Sequence, residues 1–200
     1  IFANKKDQMG IAYRAYRGDE WNYLEWTAKE AREIVEQLKA KGGDPQLFEK
    51  NVATEEAFKA IGKMEFSPRV IHLSTHGYFF PNPEDINNTE SLTGFEKSKN
   101  PLIRSGLILA GGNAAWNGET VEGTEDGILT AYEISQMDLS NTELVVLSAC
   151  ETGLGEIDPS DGVFGLQRAF KMAGVKYVLM SLWNVKDKKT YEFMTTFYEE

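Results

Sequence analysis

The chain has 200 residues, 42% of them hydrophobic and 26% charged. This suits one globular domain with its own core and excludes collagen, coiled coil and wholesale disorder. Lys plus Arg number 21 against 31 Asp plus Glu, a net charge of −10. A field of that sign repels phosphate backbones and anionic lipids, so direct nucleic-acid binding is not expected.

Residues 1–26 show no clear period, only an aromatic patch at Trp21, Tyr23, Leu24 and Trp26, and are expected to form the start of the domain. From Thr27 the pattern sharpens. Thr27-Ala28-Lys29-Glu30 reads as a capping box, and Ala31, Ile34, Val35 and Leu38 follow helical spacing up to Gly42-Gly43. Leu47-Phe48 reads as a short strand, and Thr54 opens a second helix that runs to Ile61. Residues 69–75 read as a buried strand leading into His76-Gly77. Residues 81–101, rich in Pro, Asn and Ser, read as a long loop. Then come a strand over 105–110, a loop over 114–126 and a short helix over 127–136. A strongly apolar strand over 143–149 ends at Cys150. A helix over 161–173 stops at Gly174, an apolar strand covers 175–183, and a last helix starts at Thr190. Strands apolar on both faces and alternating with helices predict an α/β fold with a mainly parallel sheet covered on both sides. No apolar run approaches the ~20 residues of a membrane span. The chain starts without an initiator Met and stops inside a helical pattern, so a piece of a longer protein is expected.

Chemistry in such sheets gathers at the carboxyl ends of strands. Two of these strands run into reactive residues, one into His76 and the other into Cys150. If the strands are parallel neighbours, the imidazole and the thiol share a crevice, which is the minimum for a cysteine nucleophile and its base. Gly77 lets the backbone turn an N–H outward, and with the N–H of Cys150 it makes a candidate oxyanion hole. The alternative is an inert buried thiol and a core histidine; His72 is expected to be core. Ser74 and Ser148 lie inside strands, and no Gly-x-Ser-x-Gly elbow is present. Gly153-Leu154-Gly155 lacks the Gly-Lys-Ser/Thr of a phosphate loop. Glu156, Asp158 and Asp161 lack calcium-loop spacing. Trp183 reads as packing. The single cysteine rules out an internal disulfide and a thiolate zinc cluster, and suits a reducing, cytoplasmic setting. No cofactor or metal is expected.

Three blocks carry a resemblance. They are Val70-Ile71-His72-Leu73-Ser74-Thr75-His76-Gly77-Tyr78-Phe79, the run from Leu144 through Ser148-Ala149-Cys150-Glu151-Thr152-Gly153 to Glu156, and Gly162 to Phe170 followed by Ala173-Gly174-Val175 and Ser181-Leu182-Trp183-Asn184-Val185. Over about residues 27–200 the chain resembles CHAT domains, caspase-like peptidases related to separase and often fused behind TPR repeats. The resemblance implies a caspase-like three-layer αβα sandwich with a mainly parallel central sheet. It implies Cys150 as nucleophile, His76 as general acid/base and Gly77 as oxyanion donor. It also implies that the strand end from Ser181 to Val185, with Ser181 and Trp183 as substrate-binding residues, lines the substrate cleft. In separase-like relatives an acidic residue just after the Leu-Trp block receives a basic P1 side chain, and Asp187 stands there; the alternative is a surface charge beside Lys186, Lys188 and Lys189. Asp161 is a second candidate. The chain departs from the pattern before residue 27, where the first core strand is not recognisable, and in the final helix, which is truncated. No third residue that orients His76 can be named. The expected function is cysteine endopeptidase activity on a protein or peptide substrate, under control of a TPR or other regulatory partner. A loop over 81–104 occluding the cleft is one means of control. The alternative is a non-catalytic interaction module on the same fold, assembling a signalling complex.

Overall fold

The computed structural model describes residues 21, 23–80, 82–85, 94–119, 125–148, 160–181, 185 and 187–200, with backbone alone at 85, 94 and 160–164. Three strands form a parallel sheet. β1 (Val70–Leu73) and β6 (Tyr177–Met180) flank β5 (Leu144–Leu147) in the order β1-β5-β6. The register pairs Leu73 with Leu147 and Leu147 with Met180. Helices cover both faces, which is why these strands read as nearly unbroken apolar runs.

One face of this sheet meets α1 (Glu25–Ala40) and α6 (Asp187–Glu199), with Ile34, Val146 and Met194 buried together. The other face sends Ile71, Leu73, Val145 and Leu147 against Phe58 of α2 (Glu55–Ile61) and Leu166 and Phe170 of α5 (Ser160–Met172). Each of the fully buried side chains Leu73, Leu147, Phe58 and Phe170 contributes about 1.5–3 kcal/mol of transfer free energy.

The chain leaves β1 through Ser74-Thr75 and enters a second sheet. β2 (His76–Phe79), β3 (Ser105–Ile108) and β4 (Ile128–Thr130) are antiparallel in that order. The apolar strand expected at 105–110 therefore lies outside the parallel sheet. It is buried by antiparallel neighbours and the shared core, a situation that produces the same continuous hydrophobicity as parallel pairing. The bend into β2 is held by the Thr75 hydroxyl, which donates to the Ile108 carbonyl.

Other expectations are revised by particular contacts. Residues 127–136 are a strand followed by a helix, because the backbone of Gly106–Ile108 recruits Ile128–Thr130 into the sheet. The helix α4 (Ala131–Ser135) then starts at a true capping box, Thr130 with Glu133. Leu47 and Phe48 lie in an irregular segment, not a strand, and Phe48 packs on the core. The first helix begins at Glu25, and Thr27 lies inside it, donating its hydroxyl to the Leu24 carbonyl. Glu30, the expected partner in the box, is buried against β1 instead. The Trp26 N–H is accepted by Asp187 Oδ2 at 3.1 Å, so the start of α1 is capped from the start of α6. The cap at Thr54 is as expected, accepting from Ala57 N. The stop at Gly174 is too, with φ of 99° that favours glycine.

Candidate active site

His76 is the first residue of β2, three residues beyond the end of β1. Ser148 N donates to the Leu73 carbonyl at 2.8 Å, so β5 stays beside β1 to the last described residue before Cys150. In sequence, Cys150 follows Leu147 by the same three residues by which His76 follows Leu73. Cys150 itself lies outside the described residues, as does Trp183. The side chain of Asp161, in the first turn of α5, also lies outside them.

The ring of His76 is 1% exposed. The Trp21 indole packs on it with ring centroids 5.1 Å apart and planes 46° apart. Behind Trp21 stands Trp116 of α3 (Gly112–Trp116), edge-on at 4.9 Å. Tyr78, Phe80 and Ile128 complete an apolar cluster. The Trp21 main chain is gripped twice by Asn113. Its N–H donates to Asn113 Oδ1 at 2.7 Å, and Asn113 Nδ2 donates to its carbonyl at 2.8 Å.

The orientation of Gly77 follows from ladder parity. Phe80 N donates to the Arg104 carbonyl directly opposite, and hydrogen-bonded pairs alternate along an antiparallel ladder. Gly77 opposite Leu107 is therefore at a non-hydrogen-bonded position, and its N–H points away from β3. Leu109 N donating to the Gly127 carbonyl gives the matching parity on the other side, where Leu107 bonds across to β4.

Asp187 is half-buried at the start of α6 and accepts from Trp26 N, a structural duty that its position after the apolar block did not suggest. Ser181 is half-buried one residue past β6. Ser74 and Ser148, expected inside strands, lie one residue past β1 and β5 and are almost wholly buried. Ser74 Oγ donates to Glu30 at 2.9 Å.

His72 is a core residue, as expected, but its surroundings are polar. His72 Nε2 lies 2.8 Å from Glu30 Oε1, and Nδ1 lies 3.2 Å from the Tyr198 hydroxyl. The arrangement suits a ring that donates from Nε2 and accepts from Tyr198. Burial, with the Glu30 charge nearby, pushes the Tyr198 phenol well above its ordinary range. Nothing in the spacing of residues 30, 72 and 198 signals this contact.

Among the described residues, one carboxylate group converges closely enough to hold a metal, Glu55 with Glu125 and Glu133. The Lys59 ammonium already sits among them, 2.7, 3.2 and 2.8 Å from the three in that order. The chain supplies its own cation there. Burial pushes the Glu55 carboxyl up to about 7 in spite of Lys59. Burial acts the same way on Glu133, but hydrogen bonds from Lys59 and Thr130 outweigh it and hold that carboxyl low.

No curated protein and no solved structure matched the chain. The CHAT domain family model matches residues 2–200, a span reaching well before the residue at which the motifs begin. The chain belongs to the CHAT domain family, a family related to caspase-like peptidases.

Proposed function

We propose that this chain is a cysteine endopeptidase with a caspase-like αβα sandwich, in which Cys150 and His76 form the catalytic dyad. The observation that carries the reading is the pairing of β1 with β5. Two adjacent parallel strands lead, each after three residues, to the imidazole and to the thiol. In this reading His76 takes the Cys150 proton, and the thiolate attacks the peptide carbonyl carbon. The oxyanion is held by the N–H of Gly77, which points away from its own ladder, and by that of Cys150. His76 then gives its proton to the leaving amine as the C–N bond breaks. Water, deprotonated by His76, cleaves the thioester and restores the thiol. Asp187 receives a basic P1 side chain, with Ser181 and Trp183 along the cleft and Asp161 as the second acidic candidate. A TPR or other regulatory module controls access.

The test replaces Cys150 by Ala and follows hydrolysis of peptides with Arg, Lys or a neutral residue at P1. Loss of turnover by about a thousandfold or more is expected. Undiminished cleavage would exclude the dyad. The near-complete burial of His76 favours one other reading, a non-catalytic module on the same fold. In that case Cys150 reacts with an electrophile only after denaturation.

A further inference from the structure

We propose that Trp21 is a positioning residue for His76. Its indole, pinned by Asn113, fixes the imidazole and favours the cation formed when His76 takes a proton. This rests on the peptidase reading above. The ring centroids are 5.1 Å apart, inside the roughly 6 Å over which a cation is drawn to an indole face.

Three observations separate this role from ordinary core packing. First, the contact is held by directed bonds. Asn113 accepts from the Trp21 N–H and donates to the Trp21 carbonyl, which sets where the indole starts. Trp116, edge-on behind it, limits where the ring can swing. Second, the indole is 8% exposed and its Nε1–H meets no acceptor among the described residues. A buried donor left unmet is costly. For packing alone Phe is the better residue; the larger π face is what Trp adds. Third, Trp21 precedes α1, far in sequence from His76, and no sheet bond holds it in place. The site is therefore assembled from the parallel sheet, the second sheet and the segment before α1, with α3 as the clamp.

The experiment compares Trp21→Leu, Trp21→Phe and Asn113→Ala with the unaltered chain. It reads iodoacetamide alkylation of Cys150 at pH 7 and peptide hydrolysis, with folding checked by circular dichroism. Trp21→Leu is expected to lower both the alkylation rate and kcat about tenfold with KM little changed. Trp21→Phe, which keeps an aromatic face, restores most of both and leaves Tm equal or higher. Asn113→Ala keeps the ring but frees it, and lowers kcat about threefold; it decides the matter if Trp21→Leu fails to fold. Equal kcat and alkylation in folded Trp21→Leu or Asn113→Ala would overturn the role of Trp21 while leaving the dyad intact. An unaltered chain whose Cys150 reacts no faster folded than unfolded and cleaves nothing would overturn both.

Discussion

Glu30 and His72 are 1% and 4% exposed, and their contact joins α1 to β1. The Tyr198 hydroxyl brings in α6, and the Ser74 hydroxyl spends its proton on the same carboxylate oxygen. Replacing Glu30 by Ala leaves His72 and Ser74 without their acceptor in a closed interior. The expected loss is about 3–5 kcal/mol by urea denaturation; a change below 1 kcal/mol would show that water replaces the carboxylate. Glu55 makes a different prediction. Its folded-state carboxyl stands at about 7 against an ordinary 4.5, so the folded chain holds that proton more readily than the unfolded one. Its contribution to stability is full below about pH 4.5 and is lost as pH rises through about 7. Glu55→Gln is expected to remove a fall of up to about 1.4 kcal/mol per pH unit across that window, measured as urea midpoints at pH 5, 6 and 7. An identical pH profile in the variant would place the titration elsewhere.

Among the elements, β3 leaves little room for change at Gly106. It is the middle strand of the second sheet, and a Cβ on Gly106 would stand 2.5 Å from the Leu129 carbonyl oxygen and 2.7 Å from the Tyr78 ring. Both neighbours would have to move, and one of them is backbone. Gly106→Ala is therefore expected to cost about 1–3 kcal/mol through overpacking. Because β2 carries His76 and Gly77 on the same ladder, the proposed peptidase activity should fall by more than the unfolded fraction explains. Thermal melts alongside turnover measure the two separately; an unchanged melt would refute the steric argument. The helices α1, α2, α5 and α6 were legible from apolar spacing and from caps such as Thr54. The strand–helix junction at Thr130 was not, although Thr130 and Glu133 carry a capping box. Ile128 and Leu129 fit a helix and a strand equally well over three residues, and only pairing with β3 settles the choice.

At the scale of the whole molecule, the excess of ten negative charges attracts basic peptides and is screened by salt. If the chain cleaves after basic residues, kcat/KM for an Arg-rich peptide is expected to fall several-fold between about 50 mM and 500 mM NaCl. A neutral peptide should change little. Equal salt responses would mean that local contacts, not the global field, recruit substrate.

The residue types of the site, the strands that lead to them and the family pattern were all present in the linear chain. Apolar runs and a Ser-Ala-Cys or His-Gly pair are local features, readable without knowing what lies across the core. Tertiary structure alone decided that the strand carrying Gly106 belongs to a second, antiparallel sheet. It also placed Trp21, held by Asn113, against His76, and Glu30 with Tyr198 on His72. Those outcomes depend on which surfaces meet across 20 to 126 positions of chain, and burial rewards many such meetings about equally. Directed hydrogen bonds and close backbone approach select among them, and neither leaves a periodic mark in the sequence.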